Sequence, residues 1–325
     1  SYLYASARIS ALEKGLLSEE TIRRMAEGSL EDAMRQLLDA RYGGMPDATP
    51  DDCERMIEAE RQKTVRVIAE VSPMPALTDL LLLRTDAHNL KVLLKSRMLG
   101  RSDADFLEGG LYTREKLTAC VQSANYRGLP ADFSAALYAL EQRLRTDPQP
   151  QHISVAVDYG YLAHACTVAA ALDMADAADF VSALCDFSNV LTFLRLRAMG
   201  AGREDMKDML LPEGGIRHRT LLEAYDLSAD SLARALTGSK ANAAIHKGLN
   251  AMLASGSIAA LEKERDNYLL SLVKGRRYEN ETIYPVIGYY LARDREAKAL
   301  RLIITAKRNK LDDAVIVERL RELYG

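Results

Sequence analysis

At 325 residues the chain is long enough for two or three domains, and its 48% hydrophobic against 27% charged residues is the balance of a folded, not a disordered, polypeptide. A net charge of −3 excludes a global field that would gather nucleic acid. Ala, Leu, Arg and Glu dominate while alternating Val/Ile/Thr runs are missing, so the chain reads as all-α.

From the N-terminus, SYLYASARIS lacks the basic-then-apolar order of a leader peptide. GLLSEETI (15–22) predicts a capped helix, with Ser18 as N-cap and Glu20 in the first turn. GSLEDAMRQLLDARYG (28–43) continues as helix until the turn residues of GGMPDATPDD (43–52), and DDCERMIEAE (51–60) reads as the capped start of the next helix. After the VSPMP break (71–75) comes TDAHNLKVLLKSRMLG (85–100). Its Leu90, Leu93, Leu94 and Arg97 fall at i, i+3, i+4 and i+7, one helix face, and Gly100 is a stop signal.

LGRSDAD (99–105) reads as a loop, and GLYTREKL (110–117) opens a further helix with Thr113 as N-cap and Glu115 behind it. GLPADFSAALYAL (128–140) resembles the 28–43 stretch, and TDPQPQH (146–152) is a loop. The longest weakly polar run, Tyr161 to Leu172, has 12 residues and is too short to span a bilayer. Loops come next at MGAGRED (199–205), LLPEGG (210–215) and GRRYENETIYP (275–285), where Pro285 is placed in the first turn of a late helix.

The 85–100 stretch recurs as CDFSNVLTFLRLRAMG (185–200), with Asp86/Asp186, Asn89/Asn189, Leu94/Leu194, Arg97/Arg197 and Gly100/Gly200 identical. DREAKALRLIITAKRNKL gives a third copy, with Glu296 in the place of Asp86, Leu300 of Leu90 and Lys307 of Arg97, while Ala299 and Lys310 replace the Asn and the Gly. GLLSEETI, GLYTREKL and KLDDAVIVERL (310–320) also echo one another. A unit of about 100 residues recurring three times predicts three similar helical-bundle domains, at 1–106, 107–206 and 207–325, with terminal helices exchangeable between repeats.

In each copy an acid (Asp86, Asp186, Glu296) is expected near the start of the helix and a base (Arg97, Arg197, Lys307) near its end. Eleven positions at 1.5 Å separate them by about 16 Å, so they cannot pair on one helix, and each should find a partner on a neighbouring element. Two roles are open: fixing how each bundle packs, or forming a quasi-symmetric polar ring at a central opening.

Catalytic constellations are missing. No GxxxxGK[ST] or GxGxxG occurs, and LTGSKANAA (236–244) has the wrong spacing for a phosphate loop. The five His are scattered, and His164 and Cys166 do not share a helix face. His88 aligns with Ser188, which marks an exposed, variable position. DMADAAD (173–179) puts Asp173, Asp176 and Asp179 at helical spacing, but a magnesium–diphosphate site of the prenyl-synthase kind needs a second acidic cluster and basic clamps. It reads instead as a solvated face. Four Cys (53, 120, 166, 185) with no CxxC pair fit a reduced, cytosolic setting. No cofactor, metal or nucleic acid is expected. On composition and spacing alone, a generic helical scaffold and a magnesium-dependent prenyl-diphosphate enzyme stay open as alternative functions.

ETIYPVIGYYLARDREAKALRLIITAKRNKL, with a last helix ending in RELYG, resembles the C subunit of the bacterial and archaeal V/A-type ATPases, whose eukaryotic counterpart is the d subunit of the V-ATPase. The matching positions are Pro285, Tyr289, Glu296, Leu300, Arg301, Ile303, Tyr324 and Gly325, with Tyr2, Tyr4 and Arg8 in the opening helix and DAHNLKVLLKSR and DFSNVLTFLRLR as D-x-x-N helices. Ala299 departs from the pattern, which often has a polar residue there. The resemblance covers essentially the whole chain. It implies a funnel of three all-α domains about a pseudo-threefold axis. It also implies a non-catalytic joint between the D/F shaft and the proteolipid rotor ring, peripheral on the cytoplasmic face of the membrane. Arg97, Arg197 and Lys307 are then the residues to test at the shaft. Asp86, Asn89, Asp186, Asn189, Glu296 and Arg301 are the structural residues of the repeat.

Overall fold

The computed structural model describes residues 1–103 and 105–324, the last four of these by backbone alone, and among the described residues every regular element is helical. Gly325 and the side chain of Tyr324 in the family pattern lie outside what is described. In chain order the helices are α1 (Tyr2–Glu13), α2 (Glu19–Glu27), α3 (Leu30–Asp39), α4 (Cys53–Val71), α5 (Pro75–Leu99), α6 (Arg114–Ser123), α7 (Ala131–Thr146) and α8 (Pro150–Leu172). They continue as α9 (Ala175–Ala198), α10 (Arg203–Asp208), α11 (His218–Ala224), α12 (Ala229–Ala235), α13 (Asn242–Ser255), α14 (Ala259–Lys274), α15 (Tyr284–Arg308) and α16 (Asp313–Tyr324).

The chain divides into two compact units: residues 1–82 with 270–325, and residues 83–269. The boundaries expected after residues 106 and 206 both fall inside the second unit.

Local chemistry sets the helix starts of the first unit. Ser18 accepts the amide of Thr21. Ser29 and Asp32 satisfy each other's backbone amides as a capping box, and Pro285 sits in the first turn of α15. The core joins both chain ends: Ile22 and Met25 of α2, Met34 and Leu37 of α3, and Met56 and Ile57 of α4 pack with Leu300 and Ile303 of α15 and Ile316 of α16. Each such side chain contributes about 1.5–3 kcal/mol on burial.

In the second unit α8 packs between α7 and α9. The apolar stripes read from the repeats are buried, with Leu90, Leu94, Val190 and Phe193 all within the core. The 12-residue apolar run belongs to a longer helix than expected. By length and composition α8 and α9, of 23 and 24 residues, both reach what a bilayer span requires. For α9, 67% of that apolar window is buried inside the protein, which is how a core helix looks.

The three repeat helices start earlier than their sequence echo, at Pro75, Ala175 and Tyr284. Asp86, Asp186 and Glu296 therefore stand midway along α5, α9 and α15, and do not complement the dipole of their own helix. Arg97, Arg197 and Lys307 do occupy last turns. Gly100 and Gly200 end their helices at φ 61° and 72°, a backbone that suits glycine, whereas Lys310 holds φ 55° with a side chain.

Candidate functional site

The repeated polar residues build a clamp, and each copy is closed within its own unit. In the first copy Asp86 reaches the loop that leads into α6. Its Oδ2 accepts the amide of Leu111 at 2.7 Å and its Oδ1 that of Tyr112 at 3.1 Å. The acid thus faces the N-terminus of the next helix, where negative charge is favourable. Three residues on, Asn89 pairs reciprocally with the backbone of Leu107, donating to its carbonyl and accepting its amide, both at 2.8 Å. At the far end of α5, Arg97 Nη1 donates to the carbonyl of Val121 in α6 at 2.6 Å, and Nη2 meets Glu141 of α7 at 2.9 Å. Tyr126 also donates to Glu141.

The second copy repeats this. Asp186 accepts the amides of Gly215 (3.1 Å) and Ile216 (2.8 Å), just before α11. Asn189 accepts the amide of Leu211 at 2.9 Å and donates to the carbonyls of Leu211 and Pro212. In both copies the loop approaches the acid so closely that it carries a glycine. A Cβ on Gly110 would collide with the Asp86 carboxylate, and one on Gly214 with that of Asp186. Arg197 differs from Arg97. Its guanidinium lies 5.6 Å from the centre of the Phe193 ring, and its buried Nη1 has no hydrogen-bond partner among the described residues.

The third copy closes on the other end of the chain. Glu296 of α15 accepts the amide of Leu17 at 2.8 Å, 279 residues away, at the entrance to α2. Lys307 donates to the carbonyls of Ala26, at 2.9 Å, and Gly28, where α2 ends. Ala26 lies nine residues past Leu17, as Val121 lies nine past Tyr112, so the two clamps grip equivalent points. The partner of this helix is therefore GLLSEETI at 15–22. The echo KLDDAVIVERL, next in sequence, supplies α16, with Asp313 at 3.7 Å from Lys307. Ala299, where the other copies have Asn, is buried in the core of the first unit.

Around Glu296 lies a buried charge cluster that the repeat pattern does not contain. Arg293 contacts Glu296 at 2.6 Å and Glu60 of α4 at 3.2 Å, and its Nε donates to the Tyr289 hydroxyl at 3.2 Å. Glu60 in turn accepts the amide of Gly43 at 2.9 Å. Sequence reading missed Arg293 and Glu60. The available signal was Tyr289, Arg293 and Glu296 at i, i+4 and i+7, which places charge on an otherwise apolar face. Arg301, counted among the structural residues, pairs with Glu54 of α4 at 2.7 Å.

Burial sets the electrostatics of the acids. It pushes Asp86 up to about 7, against the two backbone amides that favour its charge. Asp186 is raised for the same reason. Glu296 is raised by burial, with Arg293 opposing. Their chemistry is to hold backbone: Asp86 and Asp186 each accept two amides of a neighbouring loop, while Glu296 gives one oxygen to the amide of Leu17 and the other to Arg293.

The family model of the ATP synthase (C/AC39) subunit matches residues 5–319. The chain belongs to that family. It is 25% identical to the C subunit of the A-type ATP synthase of Pyrococcus furiosus, over 100% of this chain and 90% of that protein. It is 24% identical to the C subunit of the V-type sodium ATPase of Enterococcus hirae, over 97% of each. The C subunit of the A-type ATP synthase of Thermococcus onnurineus is 24% identical, again over 100% of this chain and 90% of that protein.

As a C/AC39 subunit the chain is a structural part of an A/V-type ATPase and not its catalytic part. The acidic stretch 173–179 fits that assignment. Asp173 lies beyond the end of α8 at φ 49°, off the face of α9 on which sequence spacing put it, and Asp179 is paired with Lys240 at 2.6 Å. Among the described residues no cluster of three or more His, Cys, Asp or Glu has the arrangement to hold a metal ion. The ring of His88 contacts the carbonyl of Asp105 at 2.9 Å.

Proposed function

We propose that the chain is the non-catalytic central-stalk subunit of a rotary V/A-type ATPase. It couples a rotating D/F shaft to the membrane proteolipid rotor ring, for ATP-driven ion transport or ion-driven ATP synthesis. The observation that carries this reading is the family match over residues 5–319, together with full-length similarity to the C subunits of both A-type synthases and a V-type sodium ATPase. The chain then sits peripherally on the cytoplasmic face of the membrane and takes no cofactor.

A torque-bearing joint has to be stiff, and the clamps support that requirement. The first and third tie the middle and the end of a long helix to the start and end of a shorter one, and the second ties the middle of α9 to the start of α11, through charge-assisted bonds of about 1.5–3 kcal/mol each. We assign the chain three such repeats, arranged as a funnel about a pseudo-threefold axis, with the third assembled from both chain ends. Of the three bases, Arg197 is assigned to the shaft because it is half-buried in the last turn of α9 and, among the described residues, its enclosed Nη1 holds no neighbouring helix end. Arg97 and Lys307 act there through the helix ends they hold.

Capture of the purified chain by a D/F shaft and, separately, by a detergent-solubilised rotor ring tests the reading. Binding to both is expected, and failure to bind either overturns it. Arg197→Gln is expected to weaken shaft capture while leaving the Tm unchanged. A lowered Tm with full affinity would remove Arg197 from the shaft interface.

A further inference from the structure

Cys166 of α8 and Cys185 of α9 hold their sulfurs 3.9 Å apart, across the packing of the two helices. Both are free thiols. Cys185 is fully buried and Cys166 half-buried, so a reagent arriving from solvent meets Cys166 first. The pair is also electronically unequal. The two thiols share one S–H···S contact, which lowers the more exposed Cys166, while the same contact and burial push Cys185 up. Cys53 is a contrast. It is buried against Met34, sulfur to sulfur 3.7 Å, and burial raises its thiol.

We propose that Cys166 and Cys185 form an oxidisable dithiol, a modification site at which a hydroperoxide converts the pair into a disulfide joining α8 to α9. The Cys166 thiolate attacks the O–O bond, which breaks. Cys166 becomes a sulfenic acid, and the leaving oxygen departs as water, or as an alcohol from an alkyl hydroperoxide. The Cys185 sulfur then attacks the sulfenic sulfur. The S–S bond forms, and hydroxide leaves with the Cys185 proton as water. Two thiols lose two electrons and two protons, and the peroxide takes up both. Bond formation needs the sulfurs to close from 3.9 Å to about 2.05 Å. The residue after Cys185 is Asp186, so the cross-link fixes the turn of α9 that carries the second clamp.

The test is peroxide titration of the folded full-length chain. The expected product has lost two of its four free thiols, has an intact mass lower by about 2 Da, and yields a peptide joining residues 166 and 185. Dithiothreitol reverses all three changes. Cys185→Ser, checked by circular dichroism to be folded, is expected to stop at a Cys166 sulfenic acid that dimedone traps, and Cys166→Ser to leave Cys185 unreacted. Oxygen added at Cys166 without a cross-link overturns the proposal. So does a cross-link through Cys53 or Cys120, or an unchanged thiol count in peroxide that oxidises the same chain in denaturant.

Discussion

Asp86 shows how one buried side chain can both hold the fold and tax its stability. It grips two amides, and burial still lifts it from an ordinary 3.8 to about 7. Between those two values the folded chain keeps a proton that the unfolded chain has released. Stability from this group is therefore fully present in acid and is lost as pH rises towards 7. Asp86→Asn removes the titration. The Tm of the variant minus that of the parent should then rise between pH 4 and pH 7, because the parent alone loses this contribution. A difference that does not change with pH would mean that Asp86 is ionised throughout. Arg97 likewise makes bonds within the fold. Its donors already have a carbonyl and a carboxylate inside the second unit.

At the scale of elements, the clamp is a device for ending one helix on another. Lys307 is buried at the end of α15 with its ammonium on the carbonyls of Ala26 and Gly28, so it satisfies the last turn of α2, where carbonyls have no helical partner. Lys307→Met keeps the apolar stem and deletes the donor. It is expected to cost about 1–3 kcal/mol, read by chemical denaturation, and to speed amide exchange in α2 more than in α8. Equal exchange in both helices would show that Lys307 does not hold α2.

For the whole molecule, the closing of the third clamp on the chain's first residues matters most. Leu17 gives its amide to Glu296, Ser6 donates to the carbonyl of Asn280, and the first unit's core mixes α2, α3 and α4 with α15 and α16. Deleting residues 1–18 should therefore destabilise α15, at the far end of the sequence. The deletion leaves a buried Glu296 with Arg293 but without its amide, and exposes the face of α15 that α1 covers. Faster exchange in α15 and α4, with α8 and α9 still protected, is the expected pattern. Protection retained in α15 would sink the idea that the two chain ends form one unit.

Sequence by itself determined what is local. Caps at Ser18 and Thr113, the proline at 285, the buried stripes at 90–94 and 190–194 and the threefold echo were legible because helix period and end chemistry act within a few residues. The family resemblance was legible for the same reason, as an ordered set of such local patterns. Tertiary structure alone decided which loop each acid holds, that Glu296 looks back to Leu17, that Arg293 shares Glu60, and that Cys166 meets Cys185. Those pairings join residues from 19 to 279 positions apart. They arise from which helix faces bury each other, a property of the packed whole that no spacing along one helix encodes.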